Sequence, residues 1–264
     1  MTVALTGALL RELAAVGPFF ALQTHAIDSR PREPWHPMSE LVRDPNTLIN
    51  RVAAVRAGLA AGSGREPEAV EFRVAASVTH LGLVARLVSP VLALATISAT
   101  VLEIDLDTTR WQRQLGGAFP LSVPPDTADG GEHRTPERLA SLLARHLLGG
   151  PVQELGAATG ALSVSHHVVQ GNVASAIHGA AALVAASRPL RAGHARAIAT
   201  CLLDQPPLRG SSTISASQAF RRRSCCLIYR AAPGAAGPVC GDCVLSRDPT
   251  TLDRRRGNTA PIGG

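Results

Sequence analysis

The longest apolar stretch of the chain is Leu81-Gly-Leu-Val-Ala-Arg86-Leu-Val-Ser-Pro90-Val-Leu-Ala-Leu-Ala-Thr-Ile-Ser-Ala-Thr-Val-Leu102, and its form decides the fold class. A helix that crosses a bilayer needs about 20 consecutive apolar residues. Here the charge of Arg86 and the ring of Pro90 interrupt such a span. The sequence therefore predicts a buried helix that begins near Glu66 and ends near Ser89. Peripheral membrane association remains an alternative.

Helical periodicity dominates the chain on both sides of this stretch. Asp44 and Thr135 each precede a proline, as N-cap residues do where proline takes the first helical position. The apolar residues that follow recur at helical spacing until glycines are reached. The predicted helices cover approximately residues 1–13, 44–62, 66–87, 135–149, 151–162, 164–186 and 190–203.

Strict alternation of apolar and polar residues is confined to Val101-Leu-Glu-Ile-Asp-Leu-Asp107. The segment Ala118-Phe-Pro-Leu-Ser-Val-Pro124 supplies a second candidate strand, so the sequence predicts a small β-hairpin near residues 101–123. We predict a mainly α fold in which a C-terminal cysteine segment docks on a helical domain. The predicted domains are a helical body at 1–211, a cysteine segment at 212–246 and a flexible tail at 247–264.

Composition places the chain among globular proteins of a reducing compartment. Its 264 residues, 45% of them hydrophobic, suffice for a packed core without disulfides. The N-terminus lacks the basic start and uninterrupted apolar core of a signal peptide. The five cysteines are not the even, dispersed set of a secreted scaffold. A cytoplasmic location is predicted, with the inner face of the membrane as the alternative.

Four cysteines crowd the C-terminal region, as the adjacent pair Cys225-Cys226 and the hook Cys240-Gly241-Asp-Cys243. A Cys-x-x-Cys hook brings two sulfurs to one side of a tight turn, and Gly241 gives the backbone the freedom that the turn needs. A disulfide between the adjacent cysteines is disfavoured, because neighbouring Cα atoms lie about 3.8 Å apart and an unstrained bridge needs about 4.4 Å. The pattern therefore favours four metal-binding thiolates.

The identity of the metal follows less directly from the spacing. Tetrahedral sulfur sites hold either zinc or an iron–sulfur cluster. A structural zinc usually takes two hooks of similar form, and this chain has one. A two-iron cluster is larger and also takes four thiolates, so it accommodates neighbouring ligands more easily. The spacing favours a 2Fe-2S cluster and leaves zinc as the alternative.

The order Cys-Cys, then Cys-x-x-Cys, with Tyr229-Arg230 after the pair and Gly-Asp inside the hook, resembles the C-terminal signature of the FhuF-like ferric-siderophore reductases. The stretch Gly171-Asn-Val-Ala-Ser-Ala-Ile-His-Gly179 resembles a Gly-Asn-x-Ala-Ser segment that precedes the cysteines in that family. The thirteen residues at 227–239 form a longer spacer than is usual there. The resemblance implies that one 2Fe-2S cluster is bound by Cys225, Cys226, Cys240 and Cys243.

The resemblance also implies a function in iron uptake, with a ferric siderophore as the substrate. One-electron reduction to ferrous iron weakens binding by hard oxygen ligands, so the metal can leave. The sequence has no dinucleotide fingerprint, so a separate electron donor is predicted. Two alternatives remain, namely an electron-carrier iron–sulfur protein without a substrate pocket and a zinc-stabilised binding or regulatory protein.

Arginines flank the cysteines in a chain whose formal net charge is +6 and whose basic residues are all arginine. Positive charge near a cluster offsets its negative charge and attracts an anionic complex. The residues predicted to act in this way are Arg221, Arg222, Arg223 and Arg230, with a solvated helix face as the alternative for the first three. Aromatic residues make up only 3% of the chain and no DNA- or RNA-binding motif is present, so nucleic-acid binding is not predicted.

Several further residues have roles that the sequence leaves open. His167 and His178 are separated by about three helical turns, too far for one metal ion without other ligands. A structural or substrate-lining role is therefore predicted for the histidines. Asn172 follows a glycine inside a helix, which indicates either a close helix crossing or a site role. The residues concerned are His166, His167, His178 and Asn172, while Cys201 is predicted to be dispensable.

Overall fold

The computed structural model describes residues 2–126, 128–129, 135–215 and 219–246. The predicted tail at 247–264, which includes Arg254–Arg256, lies outside the described residues. The helices in chain order are α1 (Gly7–Ala14), α2 (Glu40–Arg43), α3 (Pro45–Ala61), α4 (Phe72–Ser98), α5 (Pro136–Leu143), α6 (Gln153–Gly160), α7 (His166–Ser187) and α8 (Ala192–Leu203). A π-helical segment, Ala144–Val152, joins α5 to α6, and short 3₁₀ turns lie at Pro67–Ala69, Pro189–Arg191, Ile228–Ala231 and Pro233–Ala235.

The strands are short and, among the described residues, form three small sheets. In chain order they are β1 (Thr2–Val3), β2 (Gln23–Thr24), β3 (His36–Pro37), β4 (Val101–Leu102), β5 (Arg110–Trp111), β6 (Leu121–Val123), β7 (Ala128–Asp129), β8 (Ser212–Ile214) and β9 (Phe220–Arg222). The sheet orders are β1-β7-β4, β2-β6-β5-β3 and the pair β8-β9. The mainly α prediction is confirmed.

The helix starts predicted at Asp44 and Thr135 are confirmed by their capping contacts, whereas the central helix begins at Phe72 and not near Glu66, where a separate 3₁₀ turn lies. The Asp44 side chain accepts a hydrogen bond from the backbone N–H of Asn46, and Thr135 accepts one from Arg138. Each caps a helix whose first residue is proline, where the missing N–H has no intrahelical partner to lose. These starts are local features, so the sequence was sufficient to locate them.

The end predicted for the central helix near Ser89 is wrong, because α4 continues through Pro90 to Ser98. A proline inside a helix removes one backbone hydrogen bond and costs about 3 kcal/mol. Beyond it, Val91, Leu92 and Leu94 are at most 1% exposed in the core. Burying each such side chain contributes about 1.5–3 kcal/mol, which outweighs the cost of the proline.

The buried Arg86 joins α4 to the strand side of the molecule. Its guanidinium donates to the backbone carbonyls of Phe119 at 2.8 Å, Phe19 at 2.9 Å and Ala21. Burial lowers the pKa of Arg86 to about 10, so the group remains protonated at neutral pH. The charge that interrupts the apolar stretch therefore connects the core helix to two loops.

The predicted hairpin is present within residues 101–123, but its first strand differs from the prediction. β5 and β6 pair antiparallel, whereas β4 pairs with β7 in a different sheet. Of the alternating segment, only Val101–Leu102 is a strand, and a turn follows in which the Asp105 side chain accepts from the N–H of Asp107 at 2.7 Å. Such an Asx turn competes with strand pairing.

The two longest helices, α4 and α7, are long and apolar enough to cross a membrane by length and composition. In their most apolar windows, 72% and 61% of the residues are buried inside the protein. The helices pack along each other in the core. This mutual burial accounts for their apolar composition.

Candidate metal centre

The cysteine segment docks on the first half of α7 and on the start of α4. Ser224 donates its hydroxyl to the backbone carbonyl of His167 at 2.7 Å. Farther along the segment, Arg65 donates to the carbonyl of Ala231 at 3.0 Å. These contacts hold the adjacent cysteine pair against the helical body.

Gly171 permits the close approach of α7 to this segment. A Cβ atom at this position would overlap the Oγ atom of Ser224 and lie 3.5 Å from its Cβ atom. Glycine therefore fits here without moving the Ser224 hydroxyl, which precedes Cys225. Of the two roles predicted for the Gly171-Asn172 pair, the glycine has the packing role, because it allows α7 to lie close to the cysteine segment.

The four cysteine sulfurs form two close pairs. Cys226 Sγ lies 3.4 Å from Cys240 Sγ, and Cys225 Sγ lies 3.6 Å from Cys243 Sγ. Each pair combines one cysteine of the adjacent pair with one of the hook. A tetrahedral metal with metal–sulfur bonds of about 2.3 Å places its sulfurs about 3.8 Å apart, close to both separations.

The two pairs do not merge into a single four-ligand site. Within the described ranges, no three His, Cys, Asp or Glu side chains are grouped so as to hold one metal ion. Two ions, each bound by two thiolates, fit the arrangement better than one ion bound by four. The sulfurs therefore fit a two-iron cluster better than a single zinc ion.

Arg222 is the flanking arginine that reaches the sulfurs. It lies on β9, its side chain is 1% exposed, and its Nη2 atom is 2.9 Å from Cys240 Sγ. Its Nε atom lies 3.3 Å from Oδ2 of Asp242, a residue inside the hook. Burial opposes charge on this guanidinium, but the hydrogen bond to Cys226 and the charge of Asp242 raise the pKa of Arg222.

Asn172 supports Arg222 from α7. Its Oδ1 atom accepts from Nη1 of Arg222 at 3.2 Å, and its amide nitrogen donates to the carbonyl of Ser77 at 3.0 Å. On the next turn of α7, Ser175 donates its hydroxyl to Asp242. Asn172 therefore has a site role in addition to its place in the core. The sequence indicated Asn172 and, within the same Gly-Asn-x-Ala-Ser segment, Ser175, but it gave no signal for Ser77.

The same contacts give the thiols unequal pKa values. Burial raises the pKa of the Cys225 thiol to about 11 and that of the Cys240 thiol to about 12. Burial also acts to raise the pKa of Cys226, but the hydrogen bond and positive charge of Arg222 outweigh it and lower that pKa. The metal-free segment is thus most ready to form a thiolate at Cys226.

The other flanking arginines turn away from the sulfurs. Arg221 donates to the carbonyl of Ser246 at 2.8 Å, and Arg230 pairs with Glu71 at 2.5 Å. Arg223 is exposed. The alternative of a solvated helix face is wrong in its geometry, because the first two members of the triplet lie on a strand.

The three histidines take separate places. His178 stacks on Phe220 with ring centroids 4.2 Å apart and lines a cleft between α7 and α8. His166 lines a second, more apolar cavity, and His167 contacts the segment through its carbonyl. None of them joins a metal-binding group within the part of the chain that the structure describes. Cys201 lies on α8 and packs against the core.

One comparison with known proteins bears on this centre. Residues 222–245 match the family model described as FhuF 2Fe-2S C-terminal domain. The FhuF-like resemblance is confirmed over the cysteine segment. The FhuF match begins at Arg222 and includes all four cysteines, but it covers none of the helical body. No curated protein matches the sequence at a significant level.

Proposed function

We propose that this protein is an iron–sulfur ferric-siderophore reductase that transfers one electron to the Fe(III) of a siderophore and so releases Fe(II). The observation that carries the proposal is the two close sulfur pairs within the segment that matches the FhuF 2Fe-2S domain. When bound, a 2Fe-2S cluster exchanges one electron at a time. Cys225, Cys226, Cys240 and Cys243 would hold it.

A cleft of about 360 Å³ between α7 and α8 supports a place for the chelate. Its lining combines His178 and Arg196 with several alanines, which leave room for a bulky ligand. His178 follows Ser175 by three residues, or about one helical turn, and Ser175 bonds to Asp242 in the hook. The proposed substrate would therefore lie close to the cysteines, with the exposed Arg196 facing its oxygen donors.

A separate protein would supply the electron in the cytoplasm or at the inner face of the membrane. The test mixes the dithionite-reduced holoprotein with several ferric siderophores in a stopped-flow instrument, with a ferrous chelator present. We expect saturable reoxidation by one chelate class. Arg196→Ala should raise the chelate concentration needed for half-maximal rate, and Arg145→Ala, outside the cleft, should not.

Other outcomes point to the alternative functions. Reoxidation that is slow, non-saturable and indifferent to the chelate would favour an electron carrier. A colourless protein with stoichiometric zinc would favour a zinc-stabilised binding or regulatory protein. The two sulfur pairs favour the cluster over zinc, because a single ion would draw all four sulfurs to one point.

A further inference from the structure

The positive charge of Arg222 lies beside one of the two sulfur pairs of the candidate centre. Arg222 donates to Cys240 Sγ at 2.9 Å, and its positive charge lowers the pKa of the neighbouring Cys226 thiol. These two sulfurs lie 3.4 Å apart and form one of the two close pairs. One half of the centre therefore has a buried guanidinium that contacts one of its sulfurs and lies beside the other.

The other half is surrounded differently. Cys225 Sγ accepts the backbone N–H of Leu227 at 3.3 Å, and Cys243 Sγ accepts that of Leu245 at 3.4 Å. These donors are neutral dipoles, and hydrogen bonds from charged donors are roughly twice as strong as those from neutral ones. The two halves thus differ by one full charge held at hydrogen-bond distance.

The guanidinium is fixed in this position by two hydrogen bonds and one ion pair. Nη1 donates to Asn172 and Nη2 donates to the Cys240 sulfur, while Nε lies 3.3 Å from the Asp242 carboxylate without a hydrogen bond. Asn172 is 0% exposed, and its amide nitrogen is directed to the Ser77 carbonyl, so its oxygen must face Arg222. A buried side chain with this many partners has little freedom to follow a change of charge, and it acts as a preorganised donor.

We propose that Arg222, held by Asn172, is a positioning residue that makes the Cys226/Cys240 half of the centre its electron-accepting half. This inference rests on the proposed 2Fe-2S centre. One electron enters from an external reductant, no bond is made or broken, and no proton is taken up. The added negative charge is stabilised where the guanidinium already lies beside the sulfurs, so Arg222 also raises the reduction potential.

The first test compares reduction potentials of holoprotein variants by spectroelectrochemical titration. Arg222→Gln should lower the one-electron equilibrium constant tenfold or more, which corresponds to about 59 mV. Arg222→Lys keeps the charge but loses the planar fork, so it should recover part of the shift. Asn172→Leu should lower the potential by less, because it frees the guanidinium without removing it. Arg223→Gln is the matched control, since that side chain is exposed.

The second test locates the added electron. In the reduced protein, the β-protons of cysteines bound to ferric iron shift farther in proton NMR than those bound to ferrous iron. We expect the large shifts at Cys225 and Cys243. The reverse assignment, or equal potentials for wild type and the Arg222 and Asn172 variants, would overturn the inference.

The outcomes separate this inference from the proposed function. A wild-type protein without a two-iron centre would refute both. An intact centre with a potential that is indifferent to Arg222 would refute the inference alone. A shifted potential in a protein that reduces no ferric chelate would support the inference and refute the reductase. If Arg222→Gln fails to bind the cluster, the lysine and Asn172 variants decide the outcome.

Discussion

Replacement of Gly171 by valine is expected to separate α7 from the cysteine segment. The new Cβ atom would overlap Ser224 Oγ, which must rotate away from the His167 carbonyl that it contacts at 2.7 Å. The two added methyl groups would then press on Ser224 itself, whose Cβ and carbonyl oxygen lie 3.5 and 3.7 Å from the new Cβ atom. Because Cys225 is the next residue, the strain falls on the candidate centre.

The expected change in the free energy of unfolding has three contributions. Loss of the Ser224 hydrogen bond costs about 1 kcal/mol. Overpacking of a close contact costs about 1–3 kcal/mol. Valine is a better helix former than glycine by a few tenths of a kcal/mol, which offsets little. The expected net loss is about 2–4 kcal/mol for Gly171→Val. It is near zero for Gly171→Ala, whose helix propensity compensates for the lost hydrogen bond.

The assay is urea unfolding of each variant together with its iron and sulfide content. Gly179→Val is the matched control, because it lies on the same helix and a Cβ atom there meets nothing within 4 Å. We expect the control to keep full stability and cluster content, and Gly171→Val to lose both. Equal stabilities within about 0.5 kcal/mol would mean that α7 and the cysteine segment do not make this close approach.

Three further changes test the centre and the core. Cys226→Ser should abolish most cluster incorporation, measured as iron and sulfide per chain, whereas Cys201→Ser should retain it. Normal iron and sulfide content in Cys226→Ser would mean that the adjacent pair does not bind the cluster. Arg86→Met leaves three backbone carbonyls without their hydrogen-bond donor and should lower the free energy of unfolding by about 3–5 kcal/mol. A loss below about 1 kcal/mol would mean that water replaces the guanidinium. Burial lowers the pKa of His80 from 6.5 to about 4, so the unfolded chain binds this proton first as pH falls. The free energy of unfolding should therefore fall between pH 6.5 and 4, by about 2 kcal/mol at pH 5. The urea midpoint of His80→Gln should depend less steeply on pH than that of the wild type. An identical slope would exclude His80 as the cause.

Sequence patterns located those features of the fold that depend on a few neighbouring residues. Asp44 and Thr135 cap their helices through contacts two or three residues away. The end of α4 depends instead on side chains packed around it from distant parts of the chain, which outweigh the local signal of Pro90. The strand predicted at 101–107 ends at Leu102 and is followed by a turn, where a side-chain hydrogen bond of Asp105 competes with the alternating pattern.

In the candidate site, too, the sequence indicated the features that depend on neighbouring residues and missed those that depend on distant ones. The spacing of the cysteines indicated one centre, but it did not reveal that each sulfur pair takes one member from either end of the spacer. The arginine triplet at 221–223 is uniform in sequence. On a strand, alternate side chains face opposite sides, so Arg222 faces the core while Arg221 is half-buried, and Arg223 follows the strand and is exposed. The partner that fixes Arg222, Asn172, lies fifty residues earlier and is brought there by the packing of α7.

The nested pairing of the cysteines has a consequence for how the centre assembles. The contact between Cys226 and Cys240 is nested inside that between Cys225 and Cys243, so both close the same thirteen-residue spacer. The entropy of loop closure is therefore lost mainly at the first bridge, and the second bridge forms between sulfurs already held near each other. Filling of the centre should be cooperative, and chains carrying half a complement of metal should be rare during reconstitution.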